Sequence, residues 1–251
     1  MRLTCKATTL IVVKKRWIAF FISWVRILTS DVPRWIVGMM VFTSSAGVYA
    51  TPEGACFENG ELAGSRSGTG DGNGSLRITR LLDAEYNTTS RGGCVVRLAG
   101  LYHLTRGAHS YYLSLLRNSK DGGPISVDAS GHTLLNLIHY DDAASLVLAA
   151  LLKGTSGEIY VGADMHPINR IDMMHTTIES GSMFKDGEDA DGNEKQHLLT
   201  RCRSFFAGPT SGVPLGKELN NMKTRTELDW LPEHESFKTF MGKTVSNVSS
   251  T

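Results

Sequence analysis

Apolar and polar positions along the chain switch repeatedly between two spacings. Short apolar runs at Met39–Ser44, Cys94–Leu98, Ile125–Asp128, Leu134–Ile138 and Glu158–Gly162 predict buried strands. Between them the spacing becomes helical. Ser75 is the expected N-cap of a helix running through Glu85, with Leu76, Ile78, Leu81 and Leu82 facing inward. Ala108–Arg117 places Tyr112, Leu115 and Leu116 at core spacing, and Asn169–Glu179 and Lys195–Phe206 predict further helices. The clearest helix lies in "HYDDAASLVLAALLKG", where Asp141 and Asp142 can cap free amides and oppose the helix dipole, and Gly154 closes the C-terminus. Strands alternating with helices predict an α/β protein with a mostly parallel sheet and helices on both faces.

The segments between these elements read as punctuation. Glu61–Gly74 is a Gly/Ser-rich loop, Lys185–Glu194 an exposed acidic insertion, and the closing "SNVSST" a disordered tail. The start of the chain differs from the rest: six Lys or Arg and no acid precede Asp31. Its longest apolar run, Trp17–Val25, falls short of the roughly 20 residues that span a bilayer. An organelle-targeting segment, an interfacial amphipathic helix and a coding start placed in the wrong position all fit this composition; membrane contact is not expected. The segment 1–34 is therefore set outside the fold, 35–242 inside it, and 243–251 is the expected tail.

Composition narrows the function classes. With 26 basic against 25 acidic residues there is no field of one sign for a nucleic acid, so a small-molecule partner is expected. Cys5, Cys56, Cys94 and Cys202 lie far apart without Cys-x-x-Cys or Cys/His pairing, which predicts neither a disulfide framework nor a zinc site. His103, His109 and His132 show no metal-ligand spacing and read as surface residues. A reduced compartment, cytoplasmic or organellar, follows. Nothing in the sequence indicates an oligomeric state.

The candidate chemistry begins at "FTSSAGVY", where a buried strand ends in Ser44 and Ser45. Together with "RLLDAE", "CVVRLAGLY", "LLNLIHYDDAASLVLAAL", "GEIYVGAD" and "NNMKTRTELDW", in that order, it resembles the extended short-chain dehydrogenase/reductase superfamily, the NAD-dependent epimerase/dehydratase group. The resemblance runs from about Trp35 to Phe240. It implies a Rossmann-like parallel sheet with a small C-terminal α/β substrate lobe and NAD or NADP as cofactor. It also implies an oxidoreductase-type reaction on a small molecule or nucleotide sugar. Ser45 would orient the substrate, while Ser44, Arg97, Gly100 and Tyr102 would lie on the cofactor side. Tyr49, Arg106 and His139 would lie on the substrate side. For Arg97 and His139 a structural role is an equal or better reading, and Trp230 is expected to anchor the last element to the core.

Two departures set this chain apart. Where the resemblance places the catalytic tyrosine and lysine, the chain has Arg77 and Leu81, and neither can serve as that acid/base pair. This matches the atypical YeeZ-like branch, whose members lack the active-site tyrosine. In addition, no GxGxxG turn precedes Met39, and the glycines at Gly68, Gly70, Gly72 and Gly74 follow no strand. The expectation is an incomplete Rossmann-like sheet, with about 60 to 100 residues of the first half missing upstream. The edge of its first strand would be open unless residues 1–38 cover it. A non-catalytic Rossmann-fold remnant or binding module is the alternative function.

Overall fold

The computed structural model describes residues 40–63, 72–119, 131–184, 192–206 and 215–248. In chain order the first elements are β1 (Val41–Ser45), a 3-10 turn at Ala46–Val48, β2 (Glu53–Cys56), α1 (Gly72–Thr89), β3 (Cys94–Leu98), β4 (Gly100–Tyr102) and α2 (Ala108–Asn118). They are followed by β5 (Leu134–Leu135), β6 (Leu137–His139), α3 (Tyr140–Lys153), β7 (Ile159–Gly162), β8 (Ile168–Asn169) and α4 (Arg170–Ser180). The last are α5 (Asn193–Phe205), β9 (Gly216–Leu219), α6 (Met222–Leu228) and α7 (Phe237–Val248). The chain is thus α/β, as the alternating pattern predicts.

Its centre is a parallel sheet in the order β1-β3-β7. Side chains alternate across it. Phe42 and Val95 face Leu81 of α1, while Val41, Cys94 and Val96 share the opposite face with Ala143, Leu146 and Ala150 of α3. A strand covered on both sides needs apolar residues at consecutive positions, which is why Cys94, Val95 and Val96 are all fully buried. Two further parallel pairs, β2 with β9 and β4 with β6, and the antiparallel pair β5 with β8 flank this sheet. A second core joins α2, α4 and α5 through Leu113, Leu116, Met174, Ile178, Leu198 and Cys202.

Several local expectations change in the folded chain. Helix α1 begins at Gly72 and runs to Thr89, so Ser75 lies inside it, and Leu76 faces solvent at 48 % exposure. Of the four expected inward residues Leu81 is buried, while Ile78 and Leu82 are half-buried. The cap of α3 is His139, whose Nδ1 accepts the Asp141 amide; the Asp142 carboxylate turns to another chain segment. His109 is buried and bonded to the Leu104 carbonyl, not a surface residue, because Phe237 of α7 packs over it. Helix α7 reaches Val248, so helix occupies the start of the expected tail. The strand predicted at Ile125–Asp128 and most of the acidic insertion lie outside the described residues, although Asn193 and Glu194 already belong to α5.

Asp229 closes α6 in a left-handed conformation, φ 46° and ψ 53°, which glycine adopts at lower cost. Among the described residues its ion pair is an exposed one to Lys153 at 3.1 Å. Such pairs contribute about 0.2–1 kcal/mol, and removing the Cβ strain returns about 1 kcal/mol. Asp229→Gly is therefore expected to leave stability unchanged or raise Tm by about 1–3 °C. A thermal melt showing a drop of several degrees would contradict this account. Directly beyond it, Trp230 is buried and donates its indole N–H to Ser145 Oγ at 2.9 Å, fastening α6 to α3.

Candidate active site at the strand ends

In parallel sheets ligands bind beyond the carboxyl ends of the strands. Here the register aligns Ser45 of β1 with Leu98 of β3, and Leu98 with Gly162 of β7. Alternation then sends Ser44 and Ser45 to opposite faces. Ser44 is buried on the α1 face, and its hydroxyl has no partner among the described residues. Ser45 caps the 3-10 turn, accepting the Gly47 amide at 3.1 Å. That bond uses a lone pair and leaves the Ser45 O–H to donate elsewhere. Gly100 is exposed in β4, and a Cβ there would lie 3.0 Å from Leu137 Cδ2, so glycine lets β4 close on β6.

Tyr49 and Arg97 serve the interior beneath this edge. The Arg97 guanidinium meets the Glu85 carboxylate through Nε at 3.1 Å and Nη2 at 2.7 Å, donates to the Glu58 carbonyl at 3.3 Å, and lies 4.7 Å from the Tyr49 ring centroid. Burial opposes its charge, but the bonds to Glu85 outweigh that and hold it above its ordinary pKa. Tyr49 donates its phenol to the Glu58 carbonyl at 3.1 Å, and burial pushes it up to about 12. Such a phenol gives up no proton at neutral pH. Lys217 of β9 reaches across to the carbonyl of Tyr49 at 2.6 Å, bracing the turn after Ser45.

A second group of polar side chains gathers at β4, β6 and the start of α3. Tyr102 pairs with His139 in the register of β4 and β6, their rings edge to face at 5.3 Å. Both are buried, and Tyr102 Oη and His139 Nε2 have no partner among the described residues. Burial, and then the Asp164 and Asp142 charges, raise the Tyr102 phenol, while burial and then His234 lower the His139 imidazole. Asp164 stands just beyond β7. Burial raises it to about 7, and its Oδ1 accepts the His166 amide at 2.9 Å. Met165 between them takes a left-handed φ of 66°. Arg106 is exposed, with its guanidinium 5.6 Å from the Tyr140 ring centroid.

The structure thus brings Ser45, Tyr49 and Arg97 to one edge and Tyr102 and His139 to another, with Arg106 outside both. Of the residues expected on the cofactor side, Ser44, Arg97 and Tyr102 are buried among protein groups and only Gly100 reaches the surface. Buried in this way, they do not form a dinucleotide cradle. Arg77 is exposed, and Leu81, at the lysine position, is a core residue against Phe42 and Val95. Sequence reading missed Lys217, Glu58, Asp164 and His234. Each arrives by tertiary contact, and no local spacing marks it.

No family model matches this chain, and no curated protein does. Solved structures do. A dTDP-glucose 4,6-dehydratase from Bacillus anthracis, in complex with NAD, shares 18 % identity at a TM-score of 0.53, over 85 % of this chain and 62 % of its own length. A UDP-glucose 4-epimerase from Thermotoga maritima, with UDP-glucose, shares 15 % at 0.53, over 83 % and 62 %. A human epimerase family protein with NADPH shares 16 % at 0.50, over 82 % and 65 %. The chain spans just under two thirds of the length of such structures. No described helix is long and apolar enough to cross a membrane. The fold of this chain is the Rossmann-like fold of NAD-binding epimerases and dehydratases.

Proposed function

We propose that this chain belongs to an NAD(P)-dependent epimerase/dehydratase-type protein and binds a small molecule of the nucleotide-sugar kind over the C-terminal ends of β1, β3 and β4. The alignment of Ser45 with Leu98 and Gly162 carries this reading, since it leaves one hydroxyl with a donatable proton at the strand ends. Ser45 would donate to a sugar hydroxyl or keto oxygen. Arg106, exposed nearby in sequence to β4, would meet an anionic group.

The acid/base pair of the resemblance has no counterpart among the described residues. Tyr49 spends its hydroxyl on a buried carbonyl, Arg77 is exposed, and Leu81 lies in the core. That observation favours a second reading, binding without turnover.

Titration with UDP-glucose by calorimetry and with NADH by nicotinamide fluorescence separates these readings. Saturable UDP-glucose binding is expected, weakened about 5–10-fold by Ser45→Ala through the loss of one hydrogen bond. Binding of both, with turnover, supports the enzyme; binding of the sugar nucleotide alone supports the module. Failure of a folded chain to bind either overturns both.

A further inference from the structure

The segment between α6 and α7 is laid across the start of α3. Asp142 fixes it there, its Oδ1 accepting the Glu233 amide at 2.7 Å and its Oδ2 the His234 amide at 3.1 Å. This brings the His234 ring over His139, with centroids 3.8 Å apart. One donor atom from each of His139, Asp142 and His234 lies within 4.8 Å of the other two. Asp141 adds an oxygen, Oδ2, at 3.7 Å from His139 Nδ1 and 3.8 Å from His234 Nε2.

Ligands about 2.0–2.1 Å from one tetrahedral ion stand about 3.4 Å from each other. Asp141 stands within about 0.4 Å of that spacing from both imidazoles, and the His139, Asp142 and His234 atoms, within 4.8 Å of one another, would be drawn together by an ion. The His139 atom facing Asp141 is Nδ1, which accepts the Asp141 amide at 3.2 Å; an ion would take that lone pair and release the amide. Phe240 walls the group on its apolar side, 4.5 Å from the His139 ring and 5.2 Å from the His234 ring. Asp141, its side chain 75 % exposed, leaves the other side open to solvent.

We propose that His139, Asp142 and His234, with Asp141 as fourth ligand, bind a divalent transition-metal ion of the zinc class. Two imidazoles favour zinc, cobalt or nickel over calcium and magnesium, which take oxygen ligands. Two carboxylates balance the charge of a dication. The Asp142 oxygens each keep a lone pair after accepting an amide, so ligation does not require the segment to lift away. An ion here would clamp the approach to α7 onto the start of α3, an effect on the fold that does not rest on the function proposed above.

The test uses the full chain, stripped with chelator and titrated with zinc by calorimetry and with cobalt by visible absorption. One equivalent is expected to bind at micromolar affinity or tighter, with a tetrahedral cobalt spectrum and a raised Tm. His234→Ala should weaken binding by about 100-fold and Asp141→Asn by about 10-fold, while His132→Ala, at an exposed position, leaves it unchanged. Circular dichroism checks that each variant is folded. Should His234→Ala fail to fold, the exposed Asp141→Asn carries the test. The proposal is overturned if the folded chain shows no saturable binding up to about 100 μM zinc, or if the folded variants bind as the parent does.

Discussion

Glu85→Ala, in α1, is expected to destabilise the fold by about 3–5 kcal/mol. The reason is what it leaves behind. Arg97 is 2 % exposed, and its Nε and Nη2 donate to the Glu85 carboxylate; without it a guanidinium stays buried beside the Glu58 carbonyl and Tyr49, with no carboxylate to balance its charge among the groups it bonds here. For a chain of this size that loss corresponds to a fall in Tm of about 6–20 °C. Replacing both partners by apolar residues of similar size, as in Glu85→Leu with Arg97→Met, removes the unpaired charge along with the pair. The double variant is expected to recover most of the loss. Urea melts of the three proteins decide it. A double variant as unstable as Glu85→Ala would show that the pair is not where the cost arises.

The second large effect is one of pH. Asp164 is 1 % exposed, and burial outweighs the amide bonds and the Arg225 charge to raise its carboxyl to about 7. In the unfolded chain it returns to about 3.9. Between these values the folded chain keeps a proton that the unfolded chain releases. Its contribution to stability is thus complete below about pH 4, falls by about 1.4 kcal/mol per pH unit, and is lost above about pH 7. Asp164→Asn keeps the acceptor for the His166 amide and carries no charge at any pH. It is expected to be more stable than the parent by about 2–4 kcal/mol at pH 8, with the difference shrinking toward pH 4. Parallel stability curves for the two proteins would mean that Asp164 is ionised throughout.

These residues also show where the sequence is legible. Consecutive apolar positions in Cys94–Leu98 mark a strand covered on both sides, and the apolar face of Ala143, Leu146 and Ala150 marks α3, because local order there is driven by burial of one face. The strand-end position of Ser45 is readable for the same reason. What surrounds it is not. Glu58 reaches Thr224 across 166 positions and Lys217 reaches Tyr49 across 168, contacts that no local period can announce. Asp142 misleads for a physical reason: a carboxylate in the first turn of a helix has a sufficient explanation as a cap, yet its bonds go to amides 91 and 92 positions away. His109 misleads similarly, since only the return of α7 buries it.

The pairing of β2 with β9 carries a consequence for synthesis on the ribosome. Glu53 of β2 stands beside Gly216 of β9, and β2 has no other strand partner among the described residues. A nascent chain therefore carries β2 with its main-chain groups unpaired until the segment around Gly216 has left the exit tunnel. At about 5–20 residues per second that wait lasts roughly 10–30 seconds. Contacts of such long range also form slowly by themselves, because loop closure must come first. During that interval the early half of the chain is the part expected to be most exposed to aggregation.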